Sequence, residues 1–344
     1  MSIVIRENIN IFQKVVHISS GIEFDQMYLN QGTYVESLEL NGPKLMLTYR
    51  DPENYITSKI QLKEYDDLEV TFGDPWMDDG VSEVETFTVL TCRPVQDGNV
   101  EINALAKPVY MMKVISDKAR IFTQRGFPEI LKSIAQKGMK FDMSAFPVVQ
   151  NYHVLPGERP TTMLRQITKE QGALIWYARG SMHMSKFGTL FAKEPVATFE
   201  HGNASAKKMI LKYEKPSEQV AAQENSLRTF TGWDEKEGRV KAPLNNPLLS
   251  KMKSKPAAFS PGGNNPFVLG NAIVAKKIAI DFIASGSFAV EPGQTLALRW
   301  RQPNVDEPLN EGMPDKVVVD TVSHWYMPQK YAIRVKGAVA VEPY

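Results

Sequence analysis

Three short phrases in the last two thirds of the chain constrain its fold most, because each dictates what the backbone does at one place. The first is Met163-Leu164-Arg165-Gln166-Ile167-Thr168-Lys169-Glu170-Gln171-Gly172-Ala173-Leu174-Ile175-Trp176-Tyr177, a helix that ends on glycine and enters an aromatic strand. Met163, Leu164 and Ile167 share one helical face, Thr161 or Thr162 can cap the first free N–H groups, and Gly172 gives a left-handed exit. The second phrase is Val290-Glu291-Pro292-Gly293-Gln294-Thr295-Leu296. Proline fixes the first turn angle and glycine accepts the positive second one, which predicts a type II turn. The third, Val319-Asp320-Thr321-Val322-Ser323-His324, reads as a strand. Beyond it Tyr331, Ile333 and Val335 alternate with Ala332, Arg334 and Lys336. Each phrase turns, caps or pairs backbone, and none carries a reacting group.

The flanking sequence divides around these phrases. Residues 1–112 read as β structure. Leu68, Val70 and Phe72 alternate with polar residues, Lys59 to Lys63 repeats that pattern, and strands are predicted at Thr86–Leu90 and Val100–Leu105 around the turn signal Asp97-Gly98. Tyr34–Leu40 and Leu45–Tyr49 are joined through Asn41-Gly42, a tight-hairpin dipeptide. Residues 113–195 read as a small α/β module. One helix starts at Gly126-Phe127-Pro128, carries Ile130, Leu131 and Ile134 inward and stops at Gly138. The second is the opening phrase, whose strand turns at Arg179-Gly180 and returns through Met182-His183-Met184. Residues 196–344 return to β signals at 208–213, 278–283, 296–300, 316–324 and 331–339. Within them, 232–272 carries five prolines, Gly262-Gly263 and six basic against three acidic residues, which predicts a long loop.

Composition narrows the class of function. Residues 1–110 hold 8 Lys and Arg against 18 Asp and Glu, and the remainder 32 against 21, so a net charge of +1 conceals parts of −10 and +11. Opposite signs fit separate domains, and equally fit solvated faces that differ by chance. The acidic part is poorly suited to gripping nucleic acid, which takes clustered Lys and Arg. The lone Cys92 has no partner for an internal disulfide and reads as a buried strand thiol. No apolar run reaches about 18 residues, and Glu7 and Asn8 interrupt any signal-peptide core. A soluble protein made in a cytoplasm, with no membrane insertion, is therefore expected.

Catalytic patterns are absent. His17, His153, His183, His201 and His324 show no metal-ligand spacing, and no HExxH, CxxC or GxSxG occurs. Pro261-Gly262-Gly263 lacks the lysine of a phosphate loop. Asp66-Asp67 and Asp78-Asp79 point to opposite faces in a strand and read as surface carboxylates. His183 and His324 read as packed strand residues. Trp176-Tyr177 could stack on a sugar or base, but reads better as a hydrophobic strand. No catalytic, cofactor-binding or metal-binding residue is expected, and no enzyme.

Met163-Leu164-x-Gln166-Ile167-x-x-Glu170-x-Gly172-x-x-Ile175-Trp176-Tyr177, with the Arg179-Gly180 turn behind it, resembles the helix-to-strand segment of contractile-tail baseplate hub proteins. That family includes myophage hubs, late control D proteins and the hub portion of type VI secretion spikes. Val290-x-Pro292-Gly293-x-x-Leu296 and Val319-x-x-Val322-x-His324, with Tyr331 beyond, are similar to its closing barrel strands. The resemblance implies a mainly β fold with an α/β insertion: a tube-like β-barrel domain at 1–112, an α/β domain at 113–195, and a second barrel at 196–344 carrying the 232–272 loop. It implies a homotrimeric ring that joins the sixfold tail tube to a threefold central spike and forms a channel for genome ejection. DNA would cross the lumen without specific binding, and the acidic first domain would supply much of the lining. The implied partners are the tail tube or a distal tail protein, the spike protein and baseplate wedge proteins. The implied location is the virion tail, assembled in the host cytoplasm. The 232–272 loop reads as a contact arm or as an insertion without a partner. A type VI spike hub would continue into a long repetitive β-helix, whereas this chain ends at Tyr344. A tail-tip hub or adaptor of a non-contractile phage shares the hub fold and stays open. A tail-associated cell-wall hydrolase would require a cleft with a placed acid pair.

Overall fold

The computed structural model describes residues 10–73, 82–135, 139–143, 149–216, 228–229, 231–234, 238–241, 255–256, 276–302, 305–308, 312–328 and 330–340. The N-terminal part holds β1 (Phe12–His17), β2 (Ile22–Glu23), β3 (Leu29–Ser37), β4 (Lys44–Arg50), β5 (Asp67–Gly73), β6 (Ser82–Val95) and β7 (Asn99–Ala106). Period-two burial drives them: Leu68, Val70 and Phe72 of β5 are wholly buried, as the alternation predicts.

The middle part runs α1 (Lys107–Lys113), β8 (Arg120–Gly126), α2 (Phe127–Ile134), β9 (Lys140–Met143), β10 (Val149–Val154), α3 (Pro160–Gln171), β11 (Leu174–Ala178), β12 (Ser181–Ser185) and α4 (Phe187–Phe191). In α2, Phe127, Ile130 and Leu131 are buried, and in α3 Met163, Leu164 and Ile167 are buried. Gly172 leaves α3 at φ 59°, the left-handed exit that a residue without Cβ adopts at least cost.

The C-terminal part holds β13 (Ala197–His201), β14 (Ile210–Glu214), β15 (Arg228–Thr229), β16 (Thr231–Asp234), β17 (Gly238–Lys241), β18 (Lys255–Pro256), β19 (Lys276–Ser285), β20 (Thr295–Gln302), β21 (Val305–Pro308), β22 (Lys316–Met327) and β23 (Lys330–Ala340). Within the stretch expected as a loop, β16 and β17 form an antiparallel hairpin and β18 pairs with β15. Residues 242–254 and 257–272 lie outside the described residues.

The two β-rich parts belong to one 14-stranded sheet. Its main path runs β14-β19-β23-β22-β3-β4-β7-β6-β5-β1-β2, with β20 attached to β22 and carrying β13 and β21. The join is β22 against β3, antiparallel, with His324 opposite Tyr34 and Val322 opposite Glu36. Leu38, Leu174, Trp176, Phe187, Val318 and Ala338 pack in one cluster, so all three parts share buried surface.

Four local expectations are corrected. Asn41-Gly42 is not a positive-φ hairpin turn. Neither residue is left-handed, β3 ends at Ser37, β4 begins at Lys44, and the Gly42-Pro43 peptide is cis. Residues 59–63 are not a strand. Tyr55–Ile60 forms one π-helical turn, because the Asp51 carboxylate accepts from the Ile56 and Thr57 N–H groups while Ile56, Ile60 and Leu62 turn inward. The opening helix begins at Pro160, whose missing N–H costs nothing in a first turn, so Thr161 and Thr162 are helical residues rather than caps. α2 ends at Ile134 with Ala135 extended, before Gly138, which lies outside the described residues. Among the described residues, no helix is long and apolar enough to cross a membrane.

Candidate functional site

The three phrases meet in space. The turn between β11 and β12 places Arg179 and Gly180 at φ 45° and 75°, the paired positive angles of a primed hairpin turn. This drives the Arg179 side chain, 4% exposed, into the junction between the three parts of the chain. Its Nη1 donates to Glu291 Oε1 at 3.0 Å, and its Nη2 donates to the Val290 carbonyl at 3.1 Å, to the Phe288 carbonyl and to Glu36 Oε2 at 3.4 Å. The guanidinium lies 4.2 Å from the centre of the Phe288 ring.

The second phrase forms the expected turn, closed by Gln294 N–H donating to the Glu291 carbonyl at 3.3 Å, with Gly293 at φ 83°. A Cβ on Gly293 would lie 2.7 Å from Trp176 Cζ2, so both the backbone angle and the tryptophan require glycine. The turn is tied to the third phrase: Gly293 N–H donates to the Val319 carbonyl, and Val319 N–H to the Gln294 carbonyl. Trp176 in turn stacks on His183, centroids 5.1 Å apart.

Glu36 and His324 are both wholly buried. His324 Nδ1 pairs with the Tyr331 hydroxyl at 2.8 Å, while its Nε2 is 3.7 Å from Glu36 Oε2, within ion-pair reach but too far for a hydrogen bond. The Tyr34 hydroxyl donates to Glu85 Oε2 at 3.2 Å. Burial pushes the Glu36 carboxyl up, but the Arg179 guanidinium and His324 outweigh it, and the net shift is downward. Glu85 gains little from the same guanidinium. Burial pushes it up to about 8, against the hydroxyls of Tyr177 and Tyr34, so it keeps its proton at neutral pH. Burial pulls His324 below the ordinary histidine value, which keeps the imidazole neutral. The junction therefore holds a buried cation against the Glu36 carboxylate and the one-third-exposed Glu291, lined by neutral groups. This arrangement fixes position and has no acid–base pair facing an open cleft.

Most of the other residues weighed in the sequence have structural partners. His17 bonds to Ser19 and Ser20 and approaches Asp66 at 3.2 Å; His183 approaches Asp142 at 3.3 Å; His201 packs on Tyr213 and Trp300; His153 is exposed on β10. Asp66 and Asp67 are not open surface carboxylates. Asp66 accepts from Lys63 N–H, and Asp67 from Thr88 and Lys107. Asp78-Asp79 lies outside the described residues. Trp176 and Tyr177 are 4% and 3% exposed, which leaves them no stacking face. Cys92 is half-buried on β6, and burial pushes its thiol up to about 11. Among the described residues, no group of three or more His, Cys, Asp or Glu is gathered to hold a metal ion. Glu36 and Glu85 escaped the sequence reading. Their signal is an acid on the apolar face of a strand, beside Tyr34 and Phe87 respectively.

No protein-family model and no curated protein matches the chain. Solved structures do. The 43 kDa tail protein of prophage MuSo2 from Shewanella oneidensis superposes at TM-score 0.60 and 13% identity, over 95% of this chain and 96% of that one. The tail protein from Neisseria meningitidis MC58 superposes at 0.62 and 12%, over 95% of each chain. The E. coli c3393 protein, a type VI secretion component with structural similarity to the T4 tail proteins gp27 and gp5, superposes at 0.50 and 9%, over 92% of this chain and 74% of that one. At these identities the likeness is one of fold, and it runs nearly end to end: this chain is built like a phage tail protein.

Proposed function

We propose that this chain is a structural hub subunit of a phage tail, with an architectural rather than catalytic task. In this reading three copies form a ring that joins a sixfold tail tube to a threefold central spike and surrounds the channel for genome ejection. The ranges 1–112 and 196–344 act as its two tube-like domains, with 113–195 between them. Its neighbours are the tube or a distal tail protein, the spike and the wedge proteins. The acidic first range supplies much of the lining, where carboxylates would let phosphates slide past.

The observation that carries the reading is the end-to-end fold overlap with two tail proteins, 95% of this chain in each case. The buried junction supports it, because a subunit that transmits load between a tube and a spike benefits from parts held in fixed register. A second reading, the hub portion of a type VI secretion spike, is favoured by the likeness to the c3393 protein. Electron microscopy of the purified protein tests the proposal. Threefold rings with a central hole are expected, and a monodisperse monomer at micromolar concentration would overturn it. In such rings, outward-facing acids in residues 1–110 would remove the lining.

A further inference from the structure

Helix α1 is apolar on both of its sides. Val109 and Met112 are buried, while the opposite side carries Tyr110, Met111 and, at the C-terminal cap, Val114. A helix with one side in water normally keeps that side polar. Ile115 follows, and Tyr65 completes the face with its ring centred 6.3 Å from that of Tyr110. Met111, Val114, Ile115 and Tyr65 are 52%, 43%, 55% and 67% exposed. Tyr65 stands at φ 74°, a left-handed angle that a side chain resists, and its N–H donates to the Val89 carbonyl at 2.8 Å. The fold thus tolerates backbone strain at a residue whose ring it leaves in solvent.

The rim of this face is basic. Lys113, on the flank of α1, has Arg165, Lys44 and Arg159 as charged neighbours, and burial followed by these three cations holds its ammonium below the ordinary lysine value. The Ser116 N–H donates to the Glu158 carbonyl at 2.8 Å, which sets Arg159 beside the exit of α1. Lys44, Lys113 and Arg159 make no ion pair among the described residues, and Arg165 donates to Asn41 Oδ1 and the Leu40 carbonyl rather than to a carboxylate. The acids close by are already engaged, Asp67 by Lys107 and Glu158 by the Leu155 N–H. Four cations around an apolar centre call for carboxylates from outside.

We infer that this face is covered, in the assembled protein, by the acidic N-terminal part of a second copy of the chain. Residues 1–110 carry the net charge of −10 that complements the rim, and their 18 Asp and Glu can meet this face and still line a channel. The apolar centre supplies affinity, while the cations speed encounter and set register. The two surfaces differ, so the contact is heterologous: each copy offers its α1 face to one neighbour and its N-terminal part to the other, and repetition by rotation closes a ring. The inference rests on the ring reading and adds which face closes it.

Photo-crosslinking of the full chain tests it, with Met111→benzoylphenylalanine in a mixture of isotopically labelled and unlabelled copies. Irradiation should join this position to peptides from residues 1–110 of another copy. Met111→Asp combined with Ile115→Asp should weaken assembly about tenfold in sedimentation velocity at unchanged melting. Leu211→Asp, at an equally exposed apolar position of β14, should leave assembly unchanged. Rings that cross-link elsewhere or not at all, or that tolerate the double variant, would overturn this inference and leave the ring standing. A wild type that stays monomeric would overturn the ring reading and this contact with it. If the double variant melts early, the cross-link map alone decides.

Discussion

Charged side chains gather at two places in this molecule, and the two are treated in opposite ways. At the junction, Arg179 of the middle part meets Glu36, Glu291 and two backbone carbonyls supplied by the two β-rich parts of the chain, and Glu85 is neutralised by keeping its proton. Beside the end of β4, Glu23, Asp25, Asp51 and Glu53 line one cavity with Arg50; Glu23 reaches Lys14 at 3.6 Å and Asp51 is held by Ile56 and Thr57, while Glu53 and Arg50 are exposed and make no ion pair among the described residues. A closed set of charges fixes the relative position of the segments that supply it. A set left at the surface is screened by water and fixes little.

This contrast can be broken in order of size. Arg179→Ala leaves Glu36 buried without its counter-charge and should cost about 3–5 kcal/mol in urea unfolding. Arg179→Lys should recover little of this, because a point ammonium cannot serve four acceptors arranged around a planar fork. A loss below about 1 kcal/mol would mean that the junction is not what holds the parts in register. Glu85→Gln should remove a pH dependence. Below 4.5, the carboxyl's ordinary value, folded and unfolded chains both carry the proton; between 4.5 and about 8 only the folded chain does, so the wild type loses stability as pH rises through that window. The slope contributed is up to about 1.4 kcal/mol per pH unit, and melting followed from pH 5 to 8 should be flatter in the variant. Glu53→Gln, on the cavity side, should change stability by less than about 0.5 kcal/mol, since it breaks no buried pair. A large loss there would make Glu53 part of the fold rather than part of the solvated surface.

The β regions, both main helices and the Pro292-Gly293 turn were legible because local pattern and tertiary demand agree there. Leu68, Val70 and Phe72 alternate and are buried, and Gly172 and Gly293 hold positive φ angles where a stop and a turn were expected. The misreadings arose where a distant group decided. Residues 59–63 alternate like a strand, yet Asp51 captures the N–H groups upstream and winds the segment. Asn41-Gly42 has hairpin chemistry, but the longer link from Leu38 to Pro43 is held from outside, with Arg165 of α3 donating to Asn41 Oδ1 at 2.6 Å. The junction was half legible. The phrases that build it stood out as backbone punctuation, but their meeting depends on Glu36, which lies 143 residues from Arg179. No local pattern reports a contact of that span.

The pairing of β3 with β22 sets the order of events when the chain is made. β3 spans Leu29–Ser37 and β22 spans Lys316–Met327, so the sheet joins strands far apart in sequence. Such high contact order slows folding, because loop closure comes before the reward of contact. Until residues 316–327 leave the ribosome, one edge of β3 stands open, and open edges pair with whatever strand is nearby. A copy truncated before β22 therefore leaves β3 unpaired along one edge and lacks the join between the two β-rich parts.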